Sequence, residues 1–336
     1  MTATAPRKTI EETVQTSRLA RKLSPAAGAI AGVIGPDSVD VVSLGTGVDA
    51  GTPMEIGSLT KVFTALLIAE AVRRNELQLS SRIDELLFGQ HWSGPAAISV
   101  EELATHTSGL PRLGLPLWKV FSDDPYRSES CDGLMAYLQR KRPRSPVTRK
   151  HLYSNLGYAV LGAVAEKAAA RPYAELLEER LFRLLGLENT RVQFASGPDL
   201  VVPGYRASGR STALWHWDAY APCGGLVSTF DDLAMAVRGF LDGGGPIAEA
   251  LDLTTQPRFA LEAGGHVGLG WMLPAAGNSF WHNGGTHGYS SFLGVNSKQS
   301  LGVIVLANQG IAQATTELGT ELMCLIRCET RNPATG

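Results

Sequence analysis

The stretch Pro53-Met54-Glu55-Ile56-Gly57-Ser58-Leu59-Thr60-Lys61-Val62-Phe63-Thr64-Ala65-Leu66-Leu67 organises the reading of this chain. A short apolar approach turns at Gly57 and runs into a helix that is apolar on nearly every side. Val62, Phe63, Ala65, Leu66, Leu67, Ile68, Ala69 and Val72 leave it little polar surface, so it belongs inside the protein. Ser58 and Lys61 nevertheless stand three residues apart in its first turn and share one face. An amine buried in an apolar helix is costly unless it has a partner, and it can take a proton from a neighbouring hydroxyl. A serine at a helix start also faces free backbone N–H groups that favour developing negative charge. The plainer reading is that Ser58 caps the helix and Lys61 reaches out to solvent. None of the other seven lysines has a serine three residues before it, so the pattern occurs once, at the head of the most apolar helix.

Working outward, 336 residues suffice for one large domain or two interleaved ones. With 44% apolar and 18% charged residues, the composition is that of a globular protein. A net charge of −2 gives no reason to expect nucleic acid or a membrane surface as partner. Cys131, Cys223, Cys324 and Cys328 are too few for a disulfide scaffold and lack Cys-x-x-Cys spacing, so neither a metal nor a cofactor is expected. Cys324 and Cys328, one turn apart, read as small buried thiols. Met1–Leu23 has no apolar leader core, and no later run is long enough to span a bilayer, so the expected location is the cytoplasm.

Ile10–Leu23 predicts an amphipathic helix. Ala27–Ile34 and Val39–Leu44 predict a strand pair. From Ser58 to about Leu261 the pattern is mainly helical, with segments over Ile83–Leu87, Val100–Thr105, Asp132–Arg140, Leu156–Ala169, Tyr173–Leu185 and Thr229–Leu241. Thr229 is placed to cap the last of these. His266–Leu273, Ser279–Asn283, Ser290–Asn296 and Leu301–Ala307 then read as consecutive antiparallel strands, and Ala314–Cys328 as a closing helix. The first strand pair and the last meander join most economically into one sheet. That gives an α/β (α+β) fold, with residues 1–57 and 262–336 forming the sheet domain and 58–261 an inserted helical domain.

Two further segments bear on chemistry. In Leu152-Tyr153-Ser154-Asn155-Leu156-Gly157-Tyr158, a tyrosine and an asparagine flank a serine just ahead of a helix; by itself this reads as a loop with Asn155 as cap. In Trp281-His282-Asn283-Gly284-Gly285-Thr286-His287-Gly288-Tyr289, strand alternation puts His282 and Gly284 on one face.

Ser58-x-x-Lys61, Tyr153-x-Asn155 and His282-Asn283-Gly284 together resemble, in order and spacing, the three motifs of the serine β-lactamase and penicillin-binding-protein superfamily. The resemblance is to its class C β-lactamase-related group. That group includes β-lactamases, D-alanyl-D-alanine carboxypeptidases, D-aminopeptidases, family VIII-type esterases and biosynthetic transacylases. It extends to "EIGSLTKVFTALLIAEA", "ELATHTSGLPRL", "YSNLGYAVLGAVAEKAA", "APCGGLVSTFDDLAM" and "WHNGGTHGYSSFLGV", and covers roughly Ala27 to Gly310. The resemblance implies an antiparallel sheet flanked by N- and C-terminal helices, with the site in the cleft beside the helical insertion. It implies that Ser58 is the nucleophile and forms an acyl-enzyme, while Lys61 acts as its base or keeps the serine proton moving. Tyr153 assists as general base and protonates the leaving group, and Asn155 orients lysine and substrate. The N–H groups of Ser58 and Gly285 are the implied oxyanion hole, with Gly284 and His282 lining the strand side.

The third motif departs from the Lys-Thr-Gly usual in the group's β-lactamases: His282 stands where their lysine holds a substrate carboxylate. Neutral imidazole is the weaker anion partner. This shifts expectation toward esters or uncharged amides, with water or another acyl acceptor, or an acyl carrier, as second substrate. The rival readings are a β-lactamase or D-Ala-D-Ala carboxypeptidase, and a non-catalytic binding protein on the same fold. A Ser58–His282–Asp84 triad can be drawn, but Lys61 makes it unnecessary. His106 reads as satisfying a turn. Trp118, Trp215, Trp217 and Tyr220 suit either an apolar acyl pocket or the core. The basic run Arg140–Arg144 with Arg149-Lys150 reads as a solvated loop, or as a border of the cleft that attracts acidic substrates.

Overall fold

The computed structural model describes residues 7–90, 98–115, 118–119, 122–140, 150–194, 201–275 and 277–328. It opens with α1 (Arg7–Thr16) and α2 (Arg18–Lys22). The single helix expected here is broken at Ser17, whose hydroxyl donates to Val14 O (2.7 Å) and accepts from Ala20 N–H (3.1 Å). A side chain that serves its own backbone in this way competes with helix continuation. The hairpin β1 (Gly28–Ile34) and β2 (Val39–Gly45) follows, then β3 (Met54–Glu55), a 3₁₀ turn at Gly57–Leu59, and α3 (Thr60–Arg73). After α4 (Ile83–Phe88), α5 (Val100–Ala104), α6 (Cys131–Arg140) and α7 (Asn155–Ala169), the segment α8 (Tyr173–Leu177) continues through a π turn, Glu178–Phe182, into α9 (Arg183–Leu185). Short strands β4 (Arg191–Val192), β5 (Gly204–Tyr205) and β6 (Ser211–Thr212) precede α10 (Ala221–Gly224), β7 (Leu226–Ser228), α11 (Phe230–Leu241) and α12 (Gly245–Thr254). The chain ends in β8 (Phe259–Ala260), β9 (His266–Val267), β10 (Met272–Leu273), β11 (Ser279–Gly285), β12 (Ser290–Asn296), β13 (Leu301–Ala307) and α13 (Ala312–Cys328).

The first hairpin and the last meander form one eight-stranded antiparallel sheet, in the order β2-β1-β13-β12-β11-β10-β9-β8. β1 pairs with β13 from Ala29 opposite Ala307 to Ile34 opposite Gly302. β1, β12 and β13 are buried along their whole length, which is why they read as unbroken apolar runs. Alternation sorts their side chains between two cores. Ala29, Ala31, Val33, Val303 and Val305 pack with Ile10, Val14, Leu318 and Leu322 of α1 and α13. Ile30, Ile34, Ile304 and Leu306 join the larger core around α3, where Thr60 through Ala71 are all buried.

The strand expected over His266–Leu273 is instead a hairpin. Gly268 N–H donates to Trp271 O (2.9 Å), and Gly270 takes a left-handed φ of +74°, so the run folds back on itself. Two short strands of the mainly helical stretch, β4 and β7, join β3 ahead of it in a small sheet, β3-β7-β4, whose strands are too short to show periodicity. Cys324 is exposed rather than buried, because α13 turns Leu318, Leu322 and Ile326 toward the sheet. Residues 141–149 of the basic run lie outside the described residues. Among the described residues, no helix is long and apolar enough to cross a membrane.

Candidate active site

The small sheet sets the approach to Ser58. Glu55 lies opposite Val227, Ile56 N–H donates to Leu226 O (3.0 Å), and Thr60 Oγ1 accepts from Leu226 N–H (3.1 Å). From the other side, Ser291 of β12 donates to Ile56 O (2.7 Å). The 3₁₀ turn is pressed against β11 so closely that glycine is required on both sides. A Cβ on Gly57 (φ +51°) would lie 2.7 Å from Gly285 N, and one on Gly284 would lie 2.0 Å from Ile56 O and 3.0 Å from Ser58 N. The same contact sets Ser58 and Gly285 on an open cleft of about 320 Å³. Ser58, Tyr153, Gly284 and Gly285 line it, with Asn283 and Arg112.

Lys61 is fully enclosed at the floor. Its Nζ donates to Ser58 Oγ (3.2 Å), Asn155 Oδ1 (3.0 Å) and the Cys223 carbonyl (2.5 Å), which uses all three ammonium donors. Solvent is not its partner, so the snorkelling alternative fails. Asn155 is free for this role because Ser154, not Asn155, caps α7, accepting from Gly157 N–H (2.9 Å). The Asn155 amide donates in turn to Tyr126 OH (2.9 Å), and Tyr126 stacks on Trp217 with ring centroids 4.5 Å apart. Trp217 and Tyr220 are therefore core residues behind the site. Trp215 is half-buried, with its ring edge against Tyr126 and His287, and Trp118 is exposed.

Tyr153 lies under Lys61, whose Nζ is 4.8 Å from the ring centroid. His106 packs against the same ring at 4.5 Å. His106 does more than complete a turn, as the sequence suggested. It adopts φ +60° and accepts a hydrogen bond at Nδ1 from Ser154 N–H (3.1 Å). Burial above all, then Lys61, His151 and His282, holds its pKa well below the usual histidine range, which keeps that lone pair available. The segment around it is laced to the start of α7. His106 O accepts from Leu152 N–H (2.8 Å), Pro111 O from the Ser154 hydroxyl (2.7 Å), and Arg112 O from Asn155 N–H (2.9 Å).

His282 is buried on β11, its ring 6.4 Å from that of Tyr153. Nδ1–H donates to Asn283 O (2.5 Å), so Nε2 is the acceptor nitrogen. Burial, helped by Lys61, pushes its pKa down to about 3, and the ring carries no charge near neutrality. The drawn triad is not assembled: Asp84 pairs with Arg82 at 2.7 Å, and His282 bonds its own strand. Glu55 is a site neighbour that the sequence reading passed over. This buried carboxyl accepts from Trp215 N–H (2.7 Å) and from the Thr286 hydroxyl (2.5 Å), one residue beyond Gly285. Burial raises its pKa to about 7. Its one visible signal was a charged residue in an apolar approach.

The large antiparallel sheet, with its terminal helices and the helices beside it, defines a class C β-lactamase-like fold. The structure superposes on a β-lactamase from Sulfitobacter sp. EE-36 with a TM-score of 0.80, at 21% identity over 98% of this chain and 99% of that one. It superposes on an octameric penicillin-binding protein homologue from Pyrococcus abyssi with a TM-score of 0.79, at 22% identity over 95% and 77%. In sequence, it is 26% identical over 303 residues to a β-lactamase of Pseudomonas fluorescens, covering 78% of this chain and 81% of that protein. It is 36% identical over 141 residues to one of Providencia stuartii, covering 42% of this chain but only 34% of the other. The Beta-lactamase family model matches residues 17–321, and the chain belongs to that family of serine hydrolases.

Proposed function

We propose that the chain is a serine hydrolase or acyl transferase that works through an acyl-enzyme on Ser58, on a small ester or amide. The observation that carries this is Lys61: an enclosed amine with Nζ 3.2 Å from Ser58 Oγ, held there by Asn155 and the Cys223 carbonyl. In this reading Tyr153, as phenolate beside the Lys61 ammonium, takes the Ser58 proton as Oγ attacks the carbonyl carbon. The carbonyl oxygen gathers charge between the N–H groups of Ser58 and Gly285. Tyr153 returns the proton to the leaving alcohol or amine as its bond to the acyl carbon breaks. Water or an acyl acceptor then attacks the ester on Ser58 by the reverse proton path.

The names of the relatives support a second reading, in which the amide is a β-lactam. Against a β-lactam held through β11 as the resemblance implies, that strand offers neutral His282 where the resemblance would place a lysine. Fluorophosphonate labelling tests the shared chemistry: rapid labelling that disappears in Ser58→Ala is expected, and labelling that survives overturns it. Comparing kcat/KM for nitrocefin and for p-nitrophenyl esters separates the two substrates. Faster ester turnover is expected, and nitrocefin turnover far above every ester favours the second reading.

A further inference from the structure

Arg112 lies at the open side of the cleft, in the segment laced to α7. Its backbone oxygen is fixed by Asn155 N–H (2.9 Å) and Leu156 N–H (3.4 Å). The side chain is not fixed in this way. It is exposed, its Cζ lies 5.5 Å from the Tyr153 ring centroid, and among the described residues its guanidinium has no hydrogen bond or ion pair. It lines the same cleft as Ser58 and Gly285, and among the described residues no carboxylate lines that cleft. The other cation at hand, Lys61, already directs its donors at three protein acceptors, and no charge comes from the β11 side. An unpaired guanidinium presents a planar fork of donors matched to a carboxylate.

We propose that Arg112 binds a carboxylate on the substrate, so that the cleft selects acid-bearing esters or amides over neutral ones. The inference rests on the acyl-enzyme reading above. It supplies from the rim the cation that β11 lacks, so the departure at His282 relocates the anion subsite rather than removing it. Because the guanidinium is exposed, its pull on a carboxylate should be screened by salt.

The test is a ratio measured within each enzyme. The p-nitrophenyl monoester of adipic acid is compared with p-nitrophenyl hexanoate, and 4-acetoxybenzoate with its methyl ester. Together the pairs place the carboxylate on the acyl half or on the leaving half. Each kcat/KM is divided by the ester's hydroxide-catalysed rate. The native enzyme should prefer the carboxylate member of at least one pair by roughly tenfold, the scale of a charged hydrogen bond. That preference should shrink in high salt, fall to about one in Arg112→Leu, and survive in part in Arg112→Lys. General damage to Tyr153 lowers both members of a pair and cancels in the ratio. No preference in the native enzyme, or a preference that persists in Arg112→Leu, overturns the inference. If the native chain turns over none of the four esters, the inference falls with the acyl-enzyme reading, and fluorophosphonate labelling shows separately whether Ser58 is reactive.

Discussion

At the floor of the cleft, Lys61 is closed off from water with every donor matched to an acceptor. At the rim, Arg112 is exposed, and among the described residues its guanidinium has no hydrogen bond or ion pair. Both are cations within about one ring's width of Tyr153, whose centroid lies 4.8 Å from Lys61 Nζ and 5.5 Å from Arg112 Cζ. The difference is one of constraint. A buried charge survives only if its surroundings are specified atom by atom, so the floor is held by hydrogen bonds from Lys61 of α3 to the 3₁₀ turn, α7 and α10. An exposed charge needs no such support and is free to meet a ligand. In the proposed reading, the floor determines how a bond is attacked and the rim which molecule is held.

The largest effect should come from breaking the floor. Lys61→Met keeps the volume but leaves the Cys223 carbonyl and Asn155 Oδ1 without their donor. Activity on p-nitrophenyl acetate should fall by about 10²–10⁴-fold, and stability by about 1–3 kcal/mol for the stranded acceptors. Steady-state kinetics and thermal unfolding of the same preparation measure the two.

The next effect tests how far the ordering of the floor reaches. His106→Asn tolerates the left-handed backbone but removes the ring against Tyr153. It should lower kcat by roughly ten- to a hundredfold through misplacement of Tyr153, with KM much less affected. An equal rise in KM without loss of kcat would mean that the packing serves binding instead.

The smallest effect on turnover is expected at Glu55, beside the oxyanion loop, where the readout is stability against pH. Its folded pKa of about 7 lies above the ordinary glutamate value of 4.5, so the unfolded chain releases this proton first. Stability from this group is present below about pH 4.5 and is lost as pH rises to about 7. His282 runs the other way: its folded pKa of about 3 lies below 6.5, so its contribution is lost as pH falls from about 6.5 toward 3. Glu55→Gln imitates the protonated acid, and should match the native chain near pH 5 and exceed it at pH 8 by on the order of 3 kcal/mol. Denaturant midpoints at the two pH values check this, and equal midpoints at pH 8 would count against a protonated Glu55.

The same contrast explains what was legible in the sequence. Ser58 with Lys61 stood out by its own spacing, whereas Tyr153 with Asn155 and His282 with Gly284 read as a capped loop and a strand end until the family resemblance joined them to it. β12 and β13 were visible to the residue because full burial leaves an unbroken apolar run. Arg112 was not singled out, since an exposed arginine in a turn is unremarkable until the fold places it at a cleft. His106 was read as turn chemistry because its packing against Tyr153 joins residues 47 positions apart, through a strained backbone that no local pattern shows. The β3-β7-β4 sheet was missed because strands of two or three residues have no period. Ser17 and Gly270 broke elements whose apolar pattern ran on through them.

The central claim is that Ser58 carries the acyl group. Intact-protein and peptide mass spectrometry after a brief exposure to p-nitrophenyl acetate, quenched in acid, tests it directly. One acetyl group is expected, located on the peptide containing Ser58, decaying on standing at neutral pH and absent from Ser58→Ala. Turnover of the ester with no adduct at Ser58, or an adduct that persists in Ser58→Ala, would contradict it.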